Sequence, residues 1–139
     1  HRLVPYLYHT ACQSHQSGIP MIRPLVMEYP KDPIAKTQNL SYMLGDALLI
    51  SPGFDRDEYE LYLPEGRWRD IESKEVYEGM TFVHIENKAF ADGGTSLRVF
   101  QKEGTSIPLF AQKEVLHVPA QLWKQEDLEF MTFQKKDVD

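Results

Sequence analysis

The 139-residue sequence contains a single cysteine, Cys12, so the chain cannot form an internal disulfide. A lack of disulfides is typical of proteins from a reducing compartment, and together with the lack of a signal peptide in this sequence it favours a cytoplasmic location. Many secreted proteins also lack disulfides, so the location itself stays open. A reactive thiol would need a nearby base, which His9 or His15 supplies only if they share the helix face of Cys12. We expect instead a small, buried and inert side chain.

Long apolar runs are also missing. The longest continuous one, Ala47–Ile50, is far too short to cross a bilayer. The formal net charge is −6, and an acidic surface disfavours nucleic acid and anionic membranes as partners. With 42% hydrophobic and 26% charged residues, the composition is nevertheless that of a chain able to bury a core.

Motifs for metals, nucleotides and cofactors are absent from the sequence. None of the 5 histidines forms an H-x-x-x-H or a mixed Cys/His pattern with the spacing of zinc ligands. A glycine-rich phosphate loop and a G-x-S-x-G nucleophile elbow are missing as well. We therefore expect no metal site and no cofactor.

The N-terminal part of the chain shows a helical pattern. His1 opens the sequence inside an amphipathic stretch and without an initiator Met, which we interpret as a cut within a longer protein. Leu3, Leu7 and neighbouring positions recur at three- and four-residue spacings, which predicts a helix over residues 1–17. Gly18 is expected to end that helix.

Residues 20–52 continue in an order typical of α/β proteins. Residues 20–29 predict a strand that is apolar on both faces apart from Arg23, as in a parallel sheet covered by helices. Pro24 is compatible with this strand only at an edge or a bulge. Residues 37–45 predict one or two helical turns, and residues 46–52 predict a second short strand.

A different pattern begins near residues 52–57. Tyr59, Leu61 and Leu63 alternate with polar neighbours and Tyr62, which predicts a half-buried strand. Further short strands, separated by turn signals, are predicted at residues 68–71, 76–77, 81–85, 97–100, 106–110, 114–118 and 128–133. This series predicts an antiparallel β-sandwich, so that the chain is mainly β overall.

Five ordered blocks carry a resemblance to a known family. Residues 2–8, R-L-V-P-Y-L-Y, resemble the R-x-L-L-P-Y-L-Y signature of glycoside hydrolase family 31. Residues 18–25 are similar to its G-x-P-V-M-R-P-L strand, and residues 28–32 to its E-F-P-x-D segment. Residues 42–52 resemble F-M-x-G-x-x-L-L-V-A-P, and residues 62–68 resemble Y-L-P-x-G-x-W. The usual I-P-V-F-V-R-x-G-S-I-I-P run is altered at residues 97–108, where Lys102 replaces the arginine.

The resemblance implies a retaining α-glycosidase, of α-glucosidase or α-xylosidase type, that hydrolyses terminal α-linked sugars. Residues 1–52 would be the end of its (β/α)8 barrel, and residues 53–139 its proximal C-terminal β-sandwich. The family's nucleophile and acid/base are aspartates on earlier barrel strands, upstream of His1, so no catalytic residue is expected in this chain. The fragment alone should therefore be inactive.

Three residues are the candidates for a substrate contact: Glu28, Tyr29 and Asp32. They follow the predicted last barrel strand at its C-terminal end, where such barrels bind substrate. For Glu28 and Asp32 the competing interpretation is structural: their carboxylates form hydrogen bonds within the loop or lie at the surface. Arg23 is expected to pair with a carboxylate of the missing barrel, because a buried guanidinium needs a partner. Substrate binding is the alternative role for this residue.

Other aromatic and acidic residues are expected to be structural. Trp68 could stack on a sugar ring, but a lone aromatic in an alternating strand usually packs in the core. The acidic groups around residues 55–58 and 126–127 are expected at the solvated surface, because nothing in their surroundings would raise a carboxyl pKa as a glycosidase requires.

One alternative function stays open at this point: a non-catalytic carbohydrate-binding or scaffolding β-sandwich module. The expected partners are an oligosaccharide or α-glycoside, bound through the parent enzyme. Leu3, Leu7, Ile22, Leu25 and Val26 would lie exposed without the rest of a barrel, so we also expect self-association or contact with the missing barrel.

Overall fold

The computed structural model describes residues 4–38, 40–52, 58–71, 73–86, 97–110 and 128–134. Its elements in chain order are α1 (Val4–Ser17), β1 (Ile22–Pro24), α2 (Leu25–Glu28), a 3-10 helix (Ala35–Thr37), β2 (Tyr42–Leu44), β3 (Leu48–Pro52), β4 (Glu58–Leu63), β5 (Arg67–Asp70), β6 (Val76–Glu78), β7 (Thr81–Glu86), β8 (Leu97–Lys102), β9 (Thr105–Phe110) and β10 (Leu128–Phe133). No helix in these ranges is long and apolar enough to cross a membrane.

The chain separates into two compact units. The terminal unit comprises residues 1–21 and 104–139, and the central unit comprises residues 22–103. In the terminal unit, α1 packs on β9, which pairs antiparallel with β10.

The predicted N-terminal helix is confirmed over its described residues. It ends where expected, because Gly18 has a φ of 77° and donates its N–H to the carbonyl of Ser14 at 2.9 Å.

The expectations for residues 20–29 and 37–45 were partly wrong. The strand β1 is short, and after Pro24 the chain turns into α2, whose last turn is closed by the N–H of Tyr29 on the carbonyl of Leu25. Moreover, β1 pairs antiparallel with β2 instead of lying in a parallel sheet. Residues 42–44 were expected to be helical but form β2. They are extended because they pair with β1 on one side and β3 on the other, and the sequence pattern does not reveal this pairing.

The central unit contains a six-stranded sheet in the order β1-β2-β3-β8-β5-β6, in which every neighbouring pair is antiparallel. Pro24 lies on the edge strand β1, the kind of position where a missing N–H is tolerated. A separate two-stranded ladder joins β4 and β7. The predicted strands from residue 46 onward are confirmed, except that residues 114–118 lie outside the described part of the chain.

The core of the central unit lies between these two sheets. The ladder contributes Tyr59, Leu61, Leu63, Val83 and Ile85, and the six-stranded sheet contributes Met43, Leu49, Trp68 and Phe100. Two antiparallel sheets that bury their facing side chains form a sandwich, so the predicted fold class is confirmed. Trp68 is 0% exposed and packs in this core, as expected for a lone aromatic in an alternating strand.

Burial differs from expectation at two apolar positions. Leu25 was expected to be exposed but is fully buried, because α2 turns it toward the core. Tyr62 was expected to point outward but is only 1% exposed. Its ring packs against Phe82, and its hydroxyl donates a hydrogen bond to Asp32 in the loop after α2. Leu7, Ile22 and Val26 are exposed as expected, and Leu3 lies outside the described residues.

Candidate functional site

The loop after α2 is held in place by Asp32. One oxygen of its carboxylate accepts hydrogen bonds from the backbone N–H groups of Ile34 at 2.9 Å and Ala35 at 3.3 Å, at the start of the 3-10 helix. The other oxygen accepts the hydroxyl of Tyr62 at 2.6 Å. The hydrogen bond from Tyr62, against the opposing effect of burial and with help from the two N–H groups, lowers the pKa of Asp32. Asp32 therefore has the loop-bonding role that competed with a sugar contact.

Arg23 is 5% exposed and is paired within the chain. Its Nη1 atom donates to the carboxylates of Glu28 at 2.8 Å and Asp46 at 2.6 Å. Burial opposes the charged form, but the two carboxylates outweigh it and raise the pKa of the guanidinium. The expectation that its partner lies outside the chain was wrong, because the turn between β2 and β3 brings Asp46 back beside β1.

Tyr29 follows α2, and its ring packs against the core of the central unit. The ammonium of Lys102 lies 5.5 Å from the centroid of this ring. The hydroxyl is buried and has no hydrogen-bond partner among the described residues. Burial first, and then the negative charges of Glu28 and Glu65, raise the pKa of Tyr29 well above its usual value. The phenol of Tyr29 therefore stays neutral, with a buried hydroxyl that has no partner among the described residues.

These residues meet in one depression of the central unit, which we call the Tyr29 cleft. Its volume is about 410 Å³, which is within the range of small-molecule sites. The lining residues are Glu28, Tyr29, Pro30, Lys31, Asp32, Pro33, Glu65 and Met80. All three sequence-predicted candidates line it. The wall is largely apolar, with a few polar groups converging on it, as in sites for small organic ligands.

Glu65 and Met80 are two lining residues that sequence reasoning missed. Glu65 belongs to the turn after β4, and Met80 to the turn between β6 and β7. Met80 has a φ of 58°, in the left-handed region that a side chain rarely adopts. Its N–H donates to the carbonyls of Leu63 at 2.7 Å and Pro64 at 3.3 Å, which ties the two turns together. No sequence signal connects either turn with the loop after α2.

A second grouping lies on the exposed face of the β4–β7 ladder. Glu58, His84 and Glu86 are exposed, and they can each offer a ligand atom within 4.8 Å of the others. The carboxylate of Glu60 accepts a hydrogen bond from Nδ1–H of His84 at 2.8 Å. The hydrogen bond with Glu60, opposed by some desolvation, raises the pKa of His84 together with the other carboxylates. These three carboxylates and the imidazole form an exposed, solvated face of the ladder. The expectation that the chain has no metal site stays a prediction.

Cys12 was expected to be buried, and this was wrong: its side chain is exposed on α1. The apolar face of this amphipathic helix turns other residues inward, including Tyr6 and Thr10. Of the acidic clusters expected at the surface, Glu58 is exposed, whereas Asp55, Asp57, Glu126 and Asp127 lie outside the described residues.

Comparison with known proteins places most of the chain in one family. The sequence model described as "Glycosyl hydrolase family 31 C-terminal domain" matches residues 18–114. The human neutral alpha-glucosidase AB is 36% identical over 110 residues, which cover 76% of this chain and 11% of that protein. An alpha-glucosidase of Saccharolobus solfataricus is 28% identical over 118 residues, which cover 84% of this chain and 16% of that protein. The chain thus spans only a small part of the relatives that it matches.

Solved structures agree with this assignment. The cycloalternan-forming enzyme of Listeria monocytogenes superimposes with a TM-score of 0.81 at 31% identity, covering 96% of this chain and 13% of that enzyme. A dextranase of Flavobacterium johnsoniae superimposes with a TM-score of 0.78 at 27% identity, covering 97% of this chain and 16% of the enzyme. The similarity thus extends over nearly the whole chain.

Proposed function

Because the chain belongs to glycoside hydrolase family 31, by the match of its C-terminal domain model to residues 18–114, we propose that it is part of a retaining α-glycosidase. The parent enzyme hydrolyses terminal α-linked sugars. This proposal rests on the agreement of sequence and fold with enzymes that act on α-glucosides and α-glucans by name. Relatives of the chain also include an enzyme named isomaltosyltransferase and one named 1,6-alpha-glucosyltransferase, so the residues of this chain do not select one sugar or linkage.

We propose a structural division of labour within the parent. The expected division assigns residues 1–52 to the end of the catalytic barrel and residues 53–139 to the sandwich that supports it, although β1, β2 and β3 already lie in the six-stranded sheet of the sandwich. The family model runs across residue 52, and β3 pairs with β8, so the two parts are joined by a continuous sheet. The chemistry belongs to two carboxyl groups outside this chain: one forms the glycosyl–enzyme intermediate and the other first protonates the leaving group and then activates water.

Two side-by-side assays test this proposal. The full-length parent is incubated with aryl α-glucosides and aryl α-xylosides, and the anomeric form of the first product is followed by NMR. We expect turnover with retention of configuration. A parent protein that leaves every α-glycoside intact, or that gives the inverted anomer, contradicts the proposed function.

The isolated 139-residue chain is the second arm. We expect no turnover, because the carboxyl groups that carry the reaction lie outside it. Of the candidates inside it, Glu28 is bound to Arg23 and Asp32 to Tyr62. Activity that survives purification and disappears in Glu28→Gln or Asp32→Asn would overturn this assignment.

The rest of the parent enzyme is also the proposed partner of the exposed apolar side chains. Ile22 and Val26 of the central unit, and Leu7 and Tyr8 of the terminal unit, are exposed in this chain, as at surfaces that bind another protein segment. Without that segment, β1 lies at the edge of the described six-stranded sheet, and an exposed sheet edge favours self-association. Sedimentation velocity should show an oligomer that Ile22→Lys shifts toward monomer, whereas a strict monomer in the unmodified chain contradicts this.

A further inference from the structure

We draw no further inference here: the strongest candidate, the cluster of Glu58, His84 and Glu86 on the exposed face of the β4–β7 ladder, carries nothing, because it is an exposed, acidic side-chain cluster and nothing else in the described part of the chain points to a bound ion.

Discussion

Trp68 shows how much one side chain contributes to the central unit. Its ring is completely buried between the two sheets, and its Nε1–H donates to the carbonyl of Pro64 at 2.9 Å. Trp68→Ala removes this volume and one of the two hydrogen bonds that the Pro64 carbonyl accepts, so we expect a loss of about 3–5 kcal/mol in the free energy of unfolding. Chemical denaturation measures it, with Trp68→Phe as a milder comparison. A nearly unchanged midpoint would place the ring at the surface.

The pair of Tyr62 and Asp32 links the ladder to the loop of the Tyr29 cleft. Burial, and then the hydrogen bond to Asp32, raise the pKa of Tyr62 to about 12. We expect Tyr62→Phe to cost about 1–2 kcal/mol at neutral pH, since a short hydrogen bond to a carboxylate is lost.

The pH dependence of this variant has a defined sign. The folded-state pKa of Asp32 is lowered, so its contribution is present above the unfolded value of about 3.9 and is lost as the pH falls through the folded value. The difference in stability between Tyr62→Phe and the unmodified chain should therefore shrink below about pH 4. NMR titration of Asp32 should show its pKa rising in the variant; an unchanged titration contradicts the assigned partner.

At the scale of elements, the turn between β6 and β7 depends on a close backbone approach. A Cβ atom at Gly79 would collide with the backbone oxygens of Pro64 and Gly66. We expect Gly79→Ala to destabilise the central unit by about 3 kcal/mol, because backbone atoms cannot move aside as a side chain can. Met80→Gly, one residue later, should leave stability unchanged or raise it slightly by relieving the left-handed strain. Equal midpoints for the two variants would refute this account.

The exposed face of the β4–β7 ladder predicts a pH effect. Glu58 lies opposite Glu86, and Glu60 lies opposite His84, so protonated His84 stands among three carboxylates. Its pKa is raised on folding, so the stabilisation is present below the unfolded value of about 6.5 and is lost as the pH rises through the folded value.

His84→Gln should remove this pH dependence from the urea midpoint of the central unit as the pH rises above the unfolded value of about 6.5. The same substitution at His15, which lies on α1 in the terminal unit, is the control. Added salt should weaken the effect in the unmodified chain, because the face is exposed. Parallel midpoint curves for His84→Gln and the unmodified chain would exclude the mechanism.

For the whole molecule, the compact central unit predicts which fragment folds. Residues 22–103 contain both sheets of the sandwich and every residue of its core cluster. A fragment of residues 53–139 lacks β3, the strand that pairs with β8 in the middle of the six-stranded sheet. We expect residues 22–103 to unfold cooperatively with a buried Trp68 signal, and residues 53–139 to be less stable. The reverse order would favour the sandwich boundary expected near residue 53 from the sequence.

Local patterns were sufficient for much of the fold. Strands β3 to β10 follow from alternation and turn residues, and α1 follows from its period and from Gly18. The segments that failed, residues 20–29 and 37–45, are short apolar stretches in which period does not separate strand from helix. Their conformation depends on strands elsewhere in the chain, which pair with them through backbone groups common to all residues.

The candidate site was predictable in part. Glu28, Tyr29 and Asp32 could be selected because they follow a recognisable strand. The partners of these residues could not be selected: Asp46, Tyr62 and Glu65 come from separate turns and strands, and no spacing in the sequence relates them. Burial of the Tyr29 hydroxyl without a partner is likewise a property of three-dimensional packing.

The sequence by itself determined the family, the predominance of antiparallel strands and the burial of Trp68, because these depend on residue order and local alternation. Only the tertiary structure decided that Arg23 finds its carboxylates within the chain, that Cys12 is exposed, and that the Tyr29 cleft exists. Each of these depends on which distant segments are brought within a few ångströms of one another. Sheet pairing sets those distances, and its hydrogen bonds join backbone groups that every strand carries, so residue type alone does not encode them.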